Sequence, residues 1–279
     1  MAAESTPAEI AFIGGGNMAS ALIGGLRQAG QDGASILVIE PDAAQRERLV
    51  AQFAVRAQAG VDARLAAVPM LVWAVKPQSF ALAAAPCVGH VVEALHLSVM
   101  AGIRCDAIAR ACGADPGTAR TVRSMPNTPA LIGRGIAGLF ATPNVTAADR
   151  ARVEAVLAPT GQTLWLDREA DLDAVTALSG SGPAYVFYFI EAMVAAAVEM
   201  GLSPEQGRQL ALATFDGATA LAQRSDEPLA TLRERVTSKG GTTHAALQAM
   251  RASGVAEAIT QAVRAAQRRA AELGDEFGR

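Results

Sequence analysis

The stretch AFIGGGNMA, residues 11–19, runs from apolar residues through three glycines into the start of a helical pattern. Its spacing is G-x-G-x-x-A at a strand-to-helix junction, which is the context that a dinucleotide-binding turn requires. Gly14 would permit the tight turn, Gly16 would let the backbone approach a pyrophosphate, and Ala19 would let the helix pack close to the sheet. The helix N-terminus would face the phosphate charge. The alternative is a glycine-rich turn that serves packing alone.

Around this turn, short apolar runs alternate with segments of helical period as far as about Asp167. Helices are predicted at Asn17–Gln28 and from Asp42 to about Phe53. Strands are predicted at Glu9–Ile13, Ser35–Glu40, Pro69–Val75, Leu95–Val99 and Thr118–Arg123, with weaker ones near Gly135–Phe140 and Gln162–Leu166. We therefore expect an α/β domain over residues 1–167, with a mostly parallel sheet covered on both faces.

Residues 168–279 differ in the spacing of their apolar residues, which recur there at intervals of three and four. The predicted helices are Asp171–Leu178, Ala184–Met200, Pro204–Gln223 and Val255–Leu273. This indicates an all-α second domain, packed as a bundle. Residues 184–198 are apolar on nearly every face, so a helix there needs cover all round. A subunit interface would supply that cover; the alternative is a central bundle helix in a monomer.

Composition excludes several classes of protein. The 279 residues are 51% hydrophobic and 18% charged, which excludes a disordered chain. The formal charge of -3 gives no electrostatic case for a nucleic-acid partner. The three cysteines, Cys87, Cys105 and Cys112, form no C-x-x-C pair, so we expect reduced thiols in a cytosolic compartment.

The chain shows neither a targeting segment nor a comfortable membrane span. The N-terminal sequence MAAESTPAEI is polar and acidic, unlike a signal peptide. The most apolar long run, Pro183–Val198, is interrupted by Glu191 and is shorter than a span requires. We therefore expect a cytoplasmic protein that does not enter a membrane.

Glu40 lies 21 residues after Ala19, at the end of the second predicted strand. An acidic residue there can accept hydrogen bonds from the ribose hydroxyls of NAD and would repel the 2′-phosphate of NADP. Arg46 and Arg48 on the next helix could weaken that repulsion, and Glu40 could instead be a solvated strand end. The choice between NADPH and NADH therefore stays open.

A second cluster, Ala74-Val75-Lys76-Pro77, ends the predicted strand Pro69–Val75. Ligands of open parallel sheets bind beyond the carboxyl ends of the strands, so this turn is well placed to contact a cofactor. Lys76 could face phosphates or substrate, or could be a surface lysine.

A third cluster is Ser238-Lys239-Gly240-Gly241-Thr242-Thr243, immediately before a helix. Exposed backbone N–H groups and hydroxyls at a helix N-terminus suit a small carboxylate. The alternative is ordinary N-capping by Thr242 or Thr243.

Other catalytic motifs are absent from the sequence. There is no G-x-x-x-x-G-K-[ST] loop for a nucleoside triphosphate and no G-x-S-x-G nucleophile turn. The three histidines, His90, His96 and His244, are isolated from one another and from cysteine. No metal site is predicted.

Taken together, the motifs resemble those of pyrroline-5-carboxylate reductases. The segments that carry the resemblance occur in the family's order and in both halves of the chain. They are residues 12–19, 74–78, 98–102 (SVMAG), 123–130 (RSMPNTPA), 177–185 (ALSGSGPAY) and 236–247. The stretches MPNTPA and SGSGPAY are far more specific than the glycine pattern.

The resemblance implies a doubly wound Rossmann-like N-terminal domain and an all-α C-terminal dimerisation domain. It further implies that dimers form through the C-terminal helices and associate, often into decamers. The implied reaction is reduction of 1-pyrroline-5-carboxylate to L-proline by NADPH or NADH, the last step of proline biosynthesis.

The resemblance also implies roles for individual residues. The loop would hold the substrate carboxylate, and Thr243 would place its hydroxyl near the ring nitrogen. Asp226 is the candidate for an acidic residue that approaches the substrate. The implied catalytic set is Thr243, Ser238, Gly241, Thr242 and Asp226. The implied cofactor contacts are Gly14, Gly15, Gly16, Asn17, Met18, Ala19, Glu40, Ala74, Val75, Lys76, Pro77, Val99, Met100 and Ala101.

Three positions depart from the family pattern. Lys239 replaces the proline of S-P-G-G-T-T, which removes a restraint on φ and adds a charge. Val61 stands where many members have asparagine, and Glu40 stands where NADPH-preferring members tend to have small or basic residues.

Two rival interpretations are weaker. β-Hydroxyacid dehydrogenases need a lysine in a G-x-G-x-x-x-K motif, but counting from Gly180-Ser181-Gly182 places Val186 there. A non-catalytic dinucleotide-binding regulator would not need the loop at residues 238–243.

Overall fold

A computed structural model describes residues 8–277 of the chain. Within them, eight strands form one sheet: β1 (Ile10–Ile13), β2 (Ile36–Ile39), β3 (Arg56–Gln58), β4 (Met70–Trp73), β5 (Leu95–Ser98), β6 (Thr121–Met125), β7 (Gly135–Ala141) and β8 (Gly161–Trp165). Every residue of β1, β2, β4 and β5 is buried. Continuous apolar runs such as residues 36–39 are typical of parallel strands with cover on both faces.

The strands are ordered β3-β2-β1-β4-β5-β6-β7-β8 across the sheet. All neighbouring strands are parallel except β6 and β7, which are antiparallel. The strand order reverses between β1 and β4, and open α/β sheets bind ligands in the crevice at such a point. The predicted Rossmann-like, mostly parallel fold is confirmed.

Helices cover both faces of this sheet. Those before residue 181 are α1 (Asn17–Gln28), α2 (Ala43–Phe53), α3 (Phe80–Ala84), α4 (Cys105–Ala111), α5 (Ala147–Leu157) and α6 (Asp171–Val175). Leu22 of α1 and Val153 of α5 lie in one hydrophobic core. Phe80 of α3 and Ile108 of α4 lie in a second one. Two cores on opposite faces explain why β1, β2 and β4 are apolar at every position.

One predicted strand is displaced along the chain. The apolar pattern predicts Thr118–Arg123, but β6 begins at Thr121. The carbonyl of Asp115 accepts the N–H groups of Thr118 and Ala119 at 3.1 and 2.9 Å. A turn therefore occupies the predicted start of the strand.

The chain divides into two compact units. One extends as far as Ser181 and resumes at Ala266, and the other is Gly182–Ala265. The remaining helices are α7 (Gly182–Glu199), α8 (Pro204–Gln223), α9 (Leu229–Arg235), α10 (Thr242–Ala252) and α11 (Val255–Phe277). Residues 182–277 contain no strand. The predicted helical C-terminal half is confirmed.

Helix α7 presents an apolar surface that its own unit does not cover. Within α7 as described, Ala197 alone is buried. Its exposed large apolar side chains are Val186, Phe187, Tyr188, Phe189, Met193 and Val198. The stretch Asp171–Glu199 is long and apolar enough to cross a membrane by length and composition, with a mean hydropathy of 1.4 over an 18-residue window. A contiguous apolar surface of this extent marks an interaction site.

A buried polar pair joins the neighbouring strands β4 and β5. The Trp73 Nε1–H donates to His96 Nδ1 at 3.0 Å, and His96 Nε2 lies 3.0 Å from the carbonyl oxygen of Val91. Both side chains are fully buried. The ring is therefore neutral, with its proton on Nε2 donated to Val91. Burial lowers the pKa of His96 to about 4.

We expect His96 to lower the stability of the fold as the medium is acidified, already at pH values above those at which carboxylates titrate. Between about pH 6.5 and the lowered pKa, the unfolded chain binds a proton at His96 that the folded chain does not bind. The free energy of unfolding should therefore fall by about 2 kcal/mol between about pH 7.5 and pH 5. Urea unfolding at both pH values measures it.

A matched pair of variants isolates this contribution. His96→Gln should flatten the dependence of unfolding free energy on pH more than His90→Gln, which makes the same change at a partly exposed site. An equal slope in wild type and His96→Gln would contradict the assignment.

Candidate active site

The glycine turn between β1 and α1 is shaped by two backbone requirements. Gly14 has φ +97°, and a Cβ there would lie 2.7 Å from the carbonyl oxygen of Ala74. Gly16 is the N-cap of α1, with no side-chain cap and no atom within 4 Å of where its Cβ would stand. The first amides of α1 therefore face open space beside a helix N-terminus, which suits a phosphate group.

A cleft of about 550 Å³ opens beside this turn, at the carboxyl ends of β1, β2 and β4. Of the predicted cofactor contacts, it is lined by Gly14, Gly16, Glu40, Ala74, Val75 and Lys76. Its other lining residues are Ile13, Ile39, Pro41, Ala59, Gly60, Val61, Ser79, Leu82, Ala83 and Pro86. The walls are mostly apolar, with few polar groups, as is usual for a small-molecule site.

Much of this apolar lining escapes sequence reasoning. Residues 59–61 follow β3, whose sequence Arg56-Ala57-Gln58 carries no apolar run and is only half-buried at the sheet edge. The pattern predicts no strand there, so Val61 is noticed only through the family resemblance, and Ala59 and Gly60 are not singled out. Leu82 lines the cleft although it is 82% exposed in the single chain.

The remaining predicted cofactor contacts lie outside the lining of this cleft. Gly15 and Asn17 belong to the turn and the first residue of α1, and Pro77 follows Lys76 after β4. Val99, Met100 and Ala101 follow β5, the next strand along the same edge. Ala19 and Met100 are buried and Met18 packs against the core. Those three could reach a ligand chiefly through their backbone.

Glu40 and the glycine turn are joined by hydrogen bonds. Oε2 of Glu40 accepts the N–H of Gly15 at 2.8 Å, and Oε1 accepts the N–H of Asp42 at 2.9 Å. Gln45 Nε2 donates to the carbonyl of Gly15. Side chains that follow β2 thus hold both the backbone N–H and the backbone carbonyl of Gly15.

The candidate substrate loop lies in the helical unit, before α10. Gly240 has φ +77°, and the N–H of Gly241 donates to the Ser238 carbonyl at 3.0 Å. A Cβ at Gly241 would lie 2.6 Å from Ser238 Oγ. Gly241 is the N-cap of α10, which has no side-chain cap. The capping alternative for Thr242 and Thr243 is therefore wrong.

The loop's polar side chains are accessible. Ser238, Lys239 and Thr242 are exposed, and Thr243 is half-buried. Asp226 lies exposed between α8 and α9, in the same helical unit. The amides at the start of the 11-residue helix α10 can bind an anion by donating hydrogen bonds to it, because the first four N–H groups of a helix lack helical partners.

The two specific sequence motifs meet in the first unit. The Met125 Cε lies 2.6 Å from the position that a Cβ on Gly180 would take. The Nδ2 of Asn127 donates to the Ser179 carbonyl at 3.2 Å, and its Oδ1 accepts the N–H of Ile136 at 3.1 Å. Asn127 thus ties MPNTPA to SGSGPAY, which gives these residues a structural role.

Neither metal chemistry nor thiolate chemistry finds support in the part of the chain that the structure describes. Residues 8–277 hold no group of three or more histidine, cysteine or acidic side chains suited to a metal ion. The thiols are free and buried, and burial raises the pKa of Cys87 to about 11 and that of Cys112 to about 12. Such thiols are neutral and unreactive at physiological pH.

Two family models match the chain. The one described as pyrroline-5-carboxylate reductase dimerisation matches residues 169–273. The one described as NADP oxidoreductase, coenzyme F420-dependent, matches residues 9–102, which include the glycine turn and the strands from β1 to β5.

Full-length relatives and solved structures agree with these matches. The pyrroline-5-carboxylate reductase of Pseudomonas aeruginosa is 42% identical over 98% of this chain and 99% of its own length. That of Haemophilus influenzae is 38% identical over 95% and 97%. The structure of the Coxiella burnetii pyrroline-5-carboxylate reductase superposes with a TM-score of 0.86 at 31% identity, over 96% and 99% of the chains. The Plasmodium falciparum pyrroline carboxylate reductase, solved with NADP bound, superposes at 0.83 with 27% identity, over 96% and 98%.

Because relatives of this identity span nearly the whole sequence and share its two-part fold, this chain belongs to the pyrroline-5-carboxylate reductase family.

Proposed function

We propose that this protein reduces 1-pyrroline-5-carboxylate to L-proline with NADPH or NADH, the last step of proline biosynthesis. The observation that carries the proposal is that one chain of this family holds two uncapped helix N-termini, each at a glycine turn. One lies beside a cleft of nucleotide size, and the other suits a small carboxylate. On this proposal the boundary at residues 167 and 168 separates the cofactor domain from the substrate and dimerisation domain.

The first domain's task is to bind and orient the reduced cofactor. The amides of residues 16–18 would hold the pyrophosphate, because α1 leaves them without helical partners. Residues 74–77 and 99–101 end the neighbouring strands β4 and β5 at the same edge of the sheet, and they would hold the rest of the cofactor. The bound nicotinamide supplies the hydride.

The second domain's task is to hold the imino acid. The loop at residues 238–243 would bind the carboxylate through the amides of Thr242 and Thr243, with the Gly241 amide holding the turn by its bond to the Ser238 carbonyl. Thr243 would direct its hydroxyl to the ring nitrogen, and Asp226 would lie near the same ring. Protonation of the imine nitrogen makes the neighbouring carbon electrophilic. An imine of this type can take that proton from solvent. Positioning can then account for roughly 7–11 kcal/mol of barrier lowering.

Thr243 is therefore proposed as a hydrogen-bond partner of the nitrogen and not as an essential general acid. Thr243→Ala should lower kcat/KM for pyrroline-5-carboxylate by roughly 10- to 1000-fold, because one oriented hydrogen bond is lost. Steady-state kinetics that follow reduced-nicotinamide absorbance measure this effect.

Conservative replacement separates the hydroxyl from the bulk of the side chain. Thr243→Ser keeps the hydroxyl and should restore most of the activity. Thr260→Ala serves as a control, because that hydroxyl bonds the Ala256 carbonyl of its own helix. Wild-type kinetics in Thr243→Ala would remove the role proposed for this residue.

The match of residues 169–273 to the dimerisation family supports a homo-oligomer. The exposed apolar side chains of α7 are the proposed dimer interface. We further propose that dimers associate, with a decamer as the expected assembly. Cover by a second subunit also explains the hydropathy of residues 171–199 without a membrane. The proposed setting is the cytoplasm, with no nucleic-acid or membrane partner.

Two rival functions are disfavoured by particular residues. A β-hydroxyacid dehydrogenase needs a lysine where Val186 stands, in the first part of α7. A non-catalytic regulator does not need a site for a small carboxylate, such as the uncapped helix N-terminus that the glycine turn before α10 provides. Proline formation by the purified protein would exclude the regulator, and inactivity towards 3-hydroxy acids would exclude the dehydrogenase.

A further inference from the structure

Glu40 is held in the cleft by two hydrogen bonds to backbone. Its carboxylate lines the cleft and accepts N–H bonds from Gly15 and Asp42 through separate oxygens. A carboxylate offers about four acceptor positions, so two remain for ligand hydroxyls. Because both oxygens are anchored to backbone, the carboxylate is restrained from turning aside for an incoming anion.

We propose that Glu40 makes this protein an NADH-preferring reductase. The proposal rests on the function proposed above and adds the determinant of cofactor choice. The two cofactors differ only in the phosphate on the adenosine 2′-oxygen. An acidic side chain at the end of β2 accepts hydrogen bonds from the ribose hydroxyls and repels that phosphate. Here the acidic side chain cannot swing aside without releasing the Gly15 amide.

The nearby arginines are not paired with the Glu40 carboxylate, because their hydrogen bonds go to other acceptors. Nη1 of Arg46 donates to the backbone carbonyls of Glu40 and Pro41 at 2.7 and 2.8 Å, and Arg48 Nη2 donates to Gln45 Oε1. Arg64 is paired with Asp62 through Nε and Nη2. None of the three lines the cleft as described.

Lys76 is the cation that does line the cleft, but it does so from another strand. It follows β4, whereas Glu40 follows β2, and β1 lies between those strands. The positive charge is therefore placed across the cleft from the end of β2. Glu40 is the charged group at the strand end that reads the ribose.

Glu40 has a second role that decides which variant tests the proposal. A serine at this position would remove the charge and also the acceptors that hold Gly15 and Asp42, so it would change the turn and the specificity together. Glu40→Gln keeps the length and one oxygen acceptor while removing the charge. Glu47→Gln is the matched control, because it removes the same charge from an exposed position on α2.

The test is equilibrium binding of NADH and of NADPH, by calorimetry, in the absence of substrate. Wild type should bind NADH about 10- to 100-fold more tightly than NADPH, as expected for like charges a few ångströms apart at partial exposure. Glu40→Gln should shift that ratio at least about tenfold towards NADPH, and Glu47→Gln should leave it unchanged. The ratio of kcat/KM values should move in parallel.

Salt dependence of the wild type tests the sign of the interaction without any variant. Screening weakens the repulsion between Glu40 and the 2′-phosphate. Raising NaCl from about 0.05 to 1 M should therefore reduce the ratio of NADH affinity to NADPH affinity. If a cation attracted the 2′-phosphate, salt would weaken NADPH binding and the ratio of NADH affinity to NADPH affinity would rise.

The outcomes separate this proposal from the function on which it rests. Equal or tighter binding of NADPH by wild type, or an unchanged ratio in Glu40→Gln, would overturn the role of Glu40 alone. Failure of folded wild type to bind either cofactor would overturn both proposals. The predicted selectivity without any reduction of pyrroline-5-carboxylate would support Glu40 and overturn the proposed reaction.

Discussion

Replacing Gly14 by valine is expected to lower the affinity for NADH and NADPH by more than about 100-fold, or at least about 2.7 kcal/mol. Gly14 has φ +97°, which a β-branched residue adopts only with strain. Its Cβ would also lie 2.7 Å from Ala74 O and 2.9 Å from Ala74 C. Both atoms are backbone, so the turn itself must open, and calorimetric titration of each cofactor measures the loss.

Gly16→Ala is the informative comparison. Its φ of −69° suits alanine, and nothing lies within 4 Å of the new Cβ. We therefore expect an unchanged melting temperature together with weaker cofactor binding, because only a bound pyrophosphate would meet the added methyl group. Gly14→Val should lose both stability and binding. Normal cofactor affinity in Gly14→Val would show that the turn is not part of the nucleotide site.

The second large effect is expected at the subunit interface. Phe187→Asp should convert the protein to monomers at micromolar concentration and abolish its activity. Phe187 is 60% exposed in the single chain and lies within the matched dimerisation region. In a two-fold dimer the substitution occurs twice, and burying each unpaired carboxylate costs several kcal/mol. Light scattering after size-exclusion chromatography measures the mass.

Val50→Asp is the matched control for this experiment. Val50 is 45% exposed on α2 and lies outside residues 169–273, so the same chemical change should leave the dimer intact. A dimer that survives Phe187→Asp with full activity would place the interface elsewhere on the protein.

Local sequence signals predicted the parts of the fold that depend on neighbouring residues. The run at residues 36–39 is buried throughout, and the glycine turn follows β1 directly. Helix α5 has such a local signal too, a capping box formed by Thr146 and Asp149, although its apolar pattern did not single it out. The apolar residues on nearly every face of residues 184–198 likewise predicted a subunit interface from sequence alone.

Contacts between distant residues could not be predicted in this way. Glu40 and Gly15 are 25 residues apart, and only the parallel pairing of β1 with β2 brings them together. Trp73 and His96 meet because β4 and β5 are neighbours, so an apparently isolated histidine is a buried hydrogen-bond partner. At α10 the sequence allowed a threonine cap, but the chain places Gly241 at that position.

The central claim is that hydride passes directly from the nicotinamide to the imine carbon of pyrroline-5-carboxylate on this protein. Its most direct test supplies NADH or NADPH carrying deuterium at the transferred C4 position, with the purified protein, and analyses the product by mass spectrometry and NMR. The account predicts L-proline with one deuterium on Cδ, formed in equal amount to the cofactor oxidised. Proline without the label, or cofactor oxidation without proline, would contradict it.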